Sequence, residues 1–232
     1  MKIYRLGWAI LYMVTAATLC DPAGSRPRTP ENRPQLARVV SNASAELIID
    51  SHMTDAEAFS GLDPACPQSV RKRQRLVTVR YVSFDGRLHQ GQIVVDSALV
   101  EDVKVVFASA LKAQFPIQSV IPMSAGRFRT KKGGRWDDDL SVAANNTSGF
   151  NYRRIKGTRR LSNHAKGKAI DINPMQNPSF RSARSPHSKY VRSVRGTLLS
   201  DSVVTRGLLQ RGWIWGGTWR KTKDYQHFEK VN

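Results

Sequence analysis

Two alternating runs of residues around a short turn place the strongest constraint on the fold of this chain. Residues 76–84 alternate apolar and polar side chains, and residues 88–95 run back after Asp85-Gly86. Alternation on both sides of an Asp-Gly pair predicts a β-hairpin. Apolar residues then recur at helical spacing over about 97–114, behind Asp96, which can cap the first turn. The sequence therefore predicts a strand–strand–helix unit that builds a hydrophobic core.

The first 20 residues have the features of a secretory signal peptide. Lys2 and Arg5 give a positive start, an apolar stretch extends to Val14, and Ala16 and Ala17 suit cleavage. The apolar stretch is shorter than the roughly 20 residues that a spanning helix needs. We therefore expect residues 1–20 to direct export, giving a secreted or periplasmic/cell-envelope protein without a transmembrane span. An uncleaved anchor is the alternative.

Residues 21–70 are predicted to form a linker and an N-terminal extension, because four prolines lie among polar residues between positions 21 and 34. Residues 71–232 then make up one domain. The two cysteines, Cys20 and Cys66, have no C-x-x-C partner or neighbouring histidine, which argues against thiolate metal binding and redox catalysis. If signal cleavage leaves both in place, they could form a disulfide.

The formal net charge of +19 predicts attraction to polyanions. Removing residues 1–20 would take away only Lys2 and Arg5, which leaves 19 − 2 = +17. The basic residues occur in clusters that form no dedicated nucleic-acid motif, so nucleic acid is the alternative partner rather than the expected one. For any single cluster, a solvated basic surface is the simplest interpretation.

The C-terminal half contains residues with the spacing of a metal-dependent hydrolytic site. The pattern S-x-H-x-x-G-x-A-x-D runs from Ser162 to Asp171, and D-x-x-H runs from Asp224 to His227. His164, Asp171 and His227 form a three-ligand zinc set, which leaves a fourth position open, as in catalytic sites. Strand alternation places Asp171 on an open face, and Asp224 is within reach as the base. Glu229 is a less favoured alternative base.

Four ordered blocks resemble the zinc D-alanyl-D-alanine carboxypeptidase family, which is similar to L-alanyl-D-glutamate endopeptidases and the Hedgehog signalling domain. The blocks are 145–153, 162–174, 213–219 and 224–229. The resemblance implies an α+β domain with a small antiparallel sheet and flanking helices, of the Hedgehog/DD-peptidase-like kind. It also implies zinc on the three ligands, Asp224 as general base, and Arg153 as the cation over the scissile carbonyl. A guanidinium in that place would stabilise the developing oxyanion.

Two further residues are candidate substrate contacts. Ser162 could hydrogen-bond substrate or support the metal ligands. Trp215, with its neighbours Trp213 and Trp219, could form a substrate wall, although aromatic packing beside the sheet is an equal interpretation. Asp224 stands where some members of the family carry glutamate, and it is one methylene shorter.

The expected function is that of an exported zinc metallopeptidase, acting on peptidoglycan stem peptides as a D-alanyl-D-alanine carboxypeptidase. Its other partners would be anionic wall polymers. The alternatives are an L-alanyl-D-glutamate endopeptidase, or an inactive basic zinc-containing domain that binds wall polymers or nucleic acid. The basic loop 176–200 is expected to influence substrate preference.

Overall fold

The largest sheet contains β1 (Ile48–Ile49), β2 (Gln74–Val82) and β3 (Leu88–Asp96), in the order β1-β3-β2. The computed structural model of the chain describes residues 46–132, 134–180 and 189–231. β2 and β3 are antiparallel, with Val82 opposite Leu88 across the turn at Gly86, where φ is +78°. The predicted hairpin is confirmed. The predicted signal peptide lies outside the described residues, as do positions 181–188 of the basic loop.

The segment before the hairpin packs on the same unit. It contains β1, α1 (Asp55–Ala58) and α2 (Gln68–Arg71). Ile48 pairs with His89 of β3, and Ala58 is fully buried beside Phe150. Thr54 and Glu57 cap the start of α1 reciprocally, which satisfies two backbone N–H groups at its first turn. Residues 46–70 therefore contribute to the packed structure, and the domain boundary near residue 70 stays a prediction.

The main core lies between the hairpin and two helices. A 3-10 turn, Ser97–Leu99, leads into α3 (Val100–Lys112), and the Asp96 carboxylate accepts the N–H of Ala98 at its start. This confirms the predicted helix. The apolar face of α3 packs against β2 and against a helix near the C-terminus. The core side chains include Val77, Val79, Tyr81, Val103, Val106, Phe107, Leu208 and Phe228.

The remaining elements are short. β4 (Ser119–Val120) pairs in parallel with β5 (Asn146–Thr147), and α4 (Asp138–Ala143) lies between them in the chain. β6 (Ala169–Asp171), α5 (Val203–Gln210), β7 (Ile214–Trp215) and β8 (His227–Glu229) follow. β8 is the central strand of the antiparallel sheet β6-β8-β7. The mixed architecture of small sheets and few helices confirms the predicted α+β class.

The acidic triplet 137–139 lies at the start of α4, next to several basic residues. The Asp137 side chain accepts the N–H groups of Asp139 and Leu140, and so caps α4. Asp138 pairs with Arg153 at 2.9 Å, and Asp139 lies 3.7 Å from Lys156. The triplet therefore caps a helix and balances basic residues.

Candidate metal centre

His164 lies in a short 3-10 turn, Asn163–Lys166, which is flanked by Ser162 and Gly167. The Ser162 hydroxyl accepts the His164 N–H at 3.3 Å, and Gly167 ends the turn with φ of +69°. A Cβ at Gly167 would lie 1.9 Å from Oε1 of Gln74, so a side chain would be excluded by space as well as by backbone conformation. Serine and glycine thus fix the turn that presents the first histidine.

Asp171 and His227 face each other across two paired strands. Asp171 of β6 stands directly opposite His227 of β8, so both side chains lie on the same face of the sheet. Two backbone hydrogen bonds join Asp171 to Ser148 on the other side of β6. Its carboxylate contacts His164, His227 and Gln226, and the residue is only 4% exposed. The expectation that it points to an open face was therefore wrong.

Three side-chain atoms from these elements converge. His164 Nε2 lies 3.2 Å from both Asp171 Oδ1 and His227 Nδ1, and His227 Nδ1 lies 2.9 Å from Asp171 Oδ1. Ligand atoms at zinc bond lengths of about 2.0–2.2 Å form a tetrahedron with edges of roughly 3.3 Å. The observed triangle fits that geometry closely. The group is buried, and within the described residues it could hold a metal ion.

The second ring nitrogen of each histidine has its own partner. His164 Nδ1 lies 2.7 Å from the carbonyl oxygen of Gly149, which can only accept, so Nδ1 carries the proton and Nε2 offers its lone pair. His227 Nε2 lies 3.1 Å from Glu229 Oε2. Gln226 donates to Asp171 Oδ2 at 3.1 Å. The Gly149 and Gln226 contacts follow from the tertiary structure and have no signal in residue spacing.

The charges of these neighbouring groups shift the pKa values of Asp171 and His227. Burial would raise the pKa of Asp171, but His164 and His227 outweigh it and hold that pKa well below its usual range. Burial would lower the pKa of His227, whereas hydrogen bonds to Asp171 and Glu229 raise it to about 10. Metal ligands must be deprotonated, so a cation here displaces the His227 proton.

Asp224 begins the tight turn that ends at His227. The N–H of His227 donates to the Asp224 carbonyl oxygen at 3.3 Å. Burial, together with the negative charge of Asp171, raises the pKa of Asp224 to about 6. Its Oδ1 is buried and has no hydrogen-bond partner among the described residues. A Cβ at Gly216 would lie 2.4 Å from the Asp224 carbonyl oxygen, which explains why a glycine lies there.

Arg153 lies beside the His164 turn, since its carbonyl oxygen accepts the N–H of Ser162 at 3.0 Å. Its Nη2 pairs with Asp138 Oδ2 at 2.9 Å. Its Nε is buried and has no partner within the described part of the chain. The guanidinium is therefore held at one edge while a second donor remains available. Its predicted role over a scissile carbonyl stays a prediction.

The two predicted substrate contacts have structural partners. The Ser162 hydroxyl caps the His164 turn. Trp215 is 4% exposed, donates its indole N–H to the Tyr225 carbonyl at 2.8 Å and stacks on Phe228. The aromatic ring beside the metal-ligand group is that of Trp219, centred 5.4 Å from the His227 ring. Substrate binding by Ser162 and Trp215 stays a prediction.

A buried two-histidine, one-aspartate group defines a candidate metallohydrolase centre, with the Asp224 carboxylate beside it, whose Oδ1 has no hydrogen-bond partner among the described residues. Residues 156–230, about a third of the chain, match the family model described as D-alanyl-D-alanine carboxypeptidase. The resemblance is therefore confirmed over these residues, and together with the buried group it supports a zinc peptidase of that kind. No curated protein and no solved structure matches the chain. Among the described residues, no helix is long and apolar enough to cross a membrane.

Proposed function

We propose that this chain is an exported zinc metallopeptidase that hydrolyses peptidoglycan stem peptides, with release of terminal D-alanine as the expected reaction. The observation that carries the proposal is the mutual approach of three ligand atoms, all within 4.8 Å of one another, in a buried position. A Hedgehog/DD-peptidase-like domain belongs to the same proposal. Its support is the α+β architecture, in which a small antiparallel sheet carries Asp171 and His227.

The three side chains suit zinc in both type and number. Imidazole nitrogen and carboxylate oxygen are common zinc ligands, and sites with three protein ligands are those that catalyse reactions. Zinc supplies Lewis acidity, which polarises a carbonyl group and makes water more acidic. One negative charge on Asp171 offsets only part of a dication, so the centre keeps a net positive charge.

Asp224 acts as the general base in this proposal. Its carboxylate is ionised at neutral pH, and burial together with the negative charge of Asp171 raises its pKa, which favours uptake of a proton from attacking water. The buried Oδ1, without a partner in the described structure, is the atom that would accept it. Asp224 would then return the proton to the leaving amine.

Arg153 supplies the positive charge for the oxyanion. An arginine remains protonated throughout the ordinary pH range, so its charge does not depend on the reaction. The ion pair with Asp138 fixes one edge of the guanidinium, and the buried Nε is a donor that substrate could use. A fixed donor beside developing negative charge commonly contributes about 10²–10³ in rate.

Attraction to anionic wall polymers is proposed as a second property of the surface. Seven basic residues and no acidic ones lie between positions 153 and 168: Arg153, Arg154, Lys156, Arg159, Arg160, Lys166 and Lys168. Most of them are exposed. Retention on isolated wall material should fall steeply with added salt, because salt screens exposed charges.

Digestion of purified muropeptides followed by mass measurement of the products tests the proposed function. Loss of one terminal D-alanine supports carboxypeptidase action, whereas cleavage between L-alanine and D-glutamate would identify the endopeptidase alternative. His164→Ala and Asp224→Ala should abolish cleavage, while His52→Ala, which changes an exposed histidine outside the site, should not. Retention on wall polymers without turnover of any peptide would instead indicate a binding domain.

A further inference from the structure

The ring of His227 has different partners on its two sides. Nδ1 faces Asp171 Oδ1 at 2.9 Å, and Nε2 faces Glu229 Oε2 at 3.1 Å. A neutral imidazole offers a lone pair only from the nitrogen without the proton. An ionised carboxylate accepts hydrogen bonds and cannot donate them. Asp171 and Glu229 can each accept a hydrogen bond from this ring, so once Nδ1 and Asp171 hold a cation, Glu229 accepts the hydrogen bond from the proton that stays on Nε2.

Glu229 is itself fixed in place. Asn163 donates from Nδ2 to the same Oε2 atom at 2.8 Å. Asn163 immediately precedes His164 in the 3-10 turn, and Glu229 lies two residues after His227 on β8. The carboxylate thus joins the turn that carries the first histidine to the strand that carries the last. Its side chain is 19% exposed, so the contact is largely protected from water.

The opposite strand leaves room for this arrangement. Ala169 of β6 stands opposite Glu229, as Asp171 stands opposite His227. Residues two apart on a strand share a face, so Glu229 lies beside His227 and above a methyl group. Ala169 is fully buried. The small residue in the pattern S-x-H-x-x-G-x-A-x-D therefore makes space for the carboxylate.

We propose that Glu229, anchored by Asn163, is a positioning residue that sets the tautomer and orientation of His227 and so presents Nδ1 to the metal. The inference rests on the proposed metal dependence. It assigns Glu229 to ligand support, in place of the alternative role as a base. Partners that orient a metal-ligating histidine typically contribute 10–100-fold to metal affinity, so about that loss is expected on truncation.

Zinc affinity of the full chain, measured by competition with a chromophoric chelator, provides the test. Glu229→Ala should weaken zinc binding about 10–100-fold. Glu229→Gln keeps an acceptor oxygen for Nε2 and should recover most of that loss. Asn163→Ala should have an intermediate effect. Glu101→Gln removes an exposed carboxylate on α3 and serves as the matched control with unchanged affinity.

Nitrogen chemical shifts of the imidazoles provide a second measurement, which would not change if Glu229 had only a structural role. In zinc-loaded wild type, the Nε2 of His227 should be protonated and Nδ1 bound to metal, and Glu229→Ala should disturb this pattern. Circular dichroism checks that each variant folds. If Glu229→Ala does not fold, the zinc affinities of Glu229→Gln and Asn163→Ala test the inference instead. Wild type that binds zinc no more tightly than Glu229→Ala overturns the inference alone. Wild type that binds no zinc overturns the proposed function as well.

Discussion

The metal-free chain should lose stability as the pH rises above neutrality, because of His227. Hydrogen bonds to Asp171 and Glu229 outweigh the effect of burial and raise the pKa of His227 from 6.5 to about 10. Between these values the folded chain keeps a proton that the unfolded chain releases. The stabilisation is therefore fully present below pH 6.5 and is lost as the pH approaches 10.

The expected size follows from the titration. Each pH unit between the two pKa values removes about 1.4 kcal/mol, so the free energy of unfolding should fall by roughly 3 kcal/mol between about pH 7 and 9. The side chain of His227 is only 9% exposed, so water screens this charge little. For a chain of this size, that loss lowers the melting temperature by about 5–10 °C.

Thermal unfolding in the presence of a chelator, recorded over this pH range, measures the effect. His227→Gln should flatten the dependence, while His52→Gln, at an exposed position, should leave it intact. Added zinc should reverse the trend, since zinc displaces the proton and its stabilisation grows with pH. A melting temperature that is constant in wild type, or falls equally in His227→Gln, would refute the reasoning.

Three other changes have specific expected effects. Gly216→Ala places a Cβ 2.4 Å from the Asp224 carbonyl oxygen, so displacement of that turn should lower kcat/KM by about tenfold or more in peptide hydrolysis assays. Arg153→Lys keeps the charge but removes Nε, and should lower kcat by about a hundredfold without changing retention on wall material. Asp102→Asn weakens the contacts with Trp213 Nε1 at 2.9 Å and Lys230 Nζ at 2.7 Å, and should cost about 1–2 kcal/mol in neutral urea denaturation. Burial would raise the pKa of Asp102, but those contacts outweigh it and lower the pKa. The difference in stability between wild type and variant should therefore disappear in acid, where the protonated carboxyl is uncharged like the asparagine amide.

Local patterns in the sequence predicted the hairpin and α3, since alternation and helical spacing are read directly from neighbouring residues. Residue type and order also predicted which side chains would meet, namely His164, Asp171 and His227. Their meeting depends on pairing between strands that lie 56 residues apart, which spacing alone cannot establish. The family resemblance supplied that information.

Features that depend on distant packing were not predictable in this way. Asp171 is enclosed because His164, Gln226 and His227 surround its carboxylate, and these contacts have no local signal. Trp215 packs on Phe228 from the neighbouring strand, and β1 has only two residues, too few for a periodic pattern. By contrast, the contact of Glu229 with His227 Nε2 follows from local alternation along the single strand β8, although Glu229 had been considered only as a base.

The separation of 56 residues between Asp171 and His227 would make any ion held at this centre a cross-link between distant parts of the chain. Tying these strands together closes a chain segment that includes the basic loop, α5 and β7. The entropy of closing a flexible loop rises slowly with length, by about 0.6 kcal/mol for each doubling. Changes in the length of the basic loop should therefore disturb the joined strands little, so that this segment can vary in length while β6 and β8 stay paired.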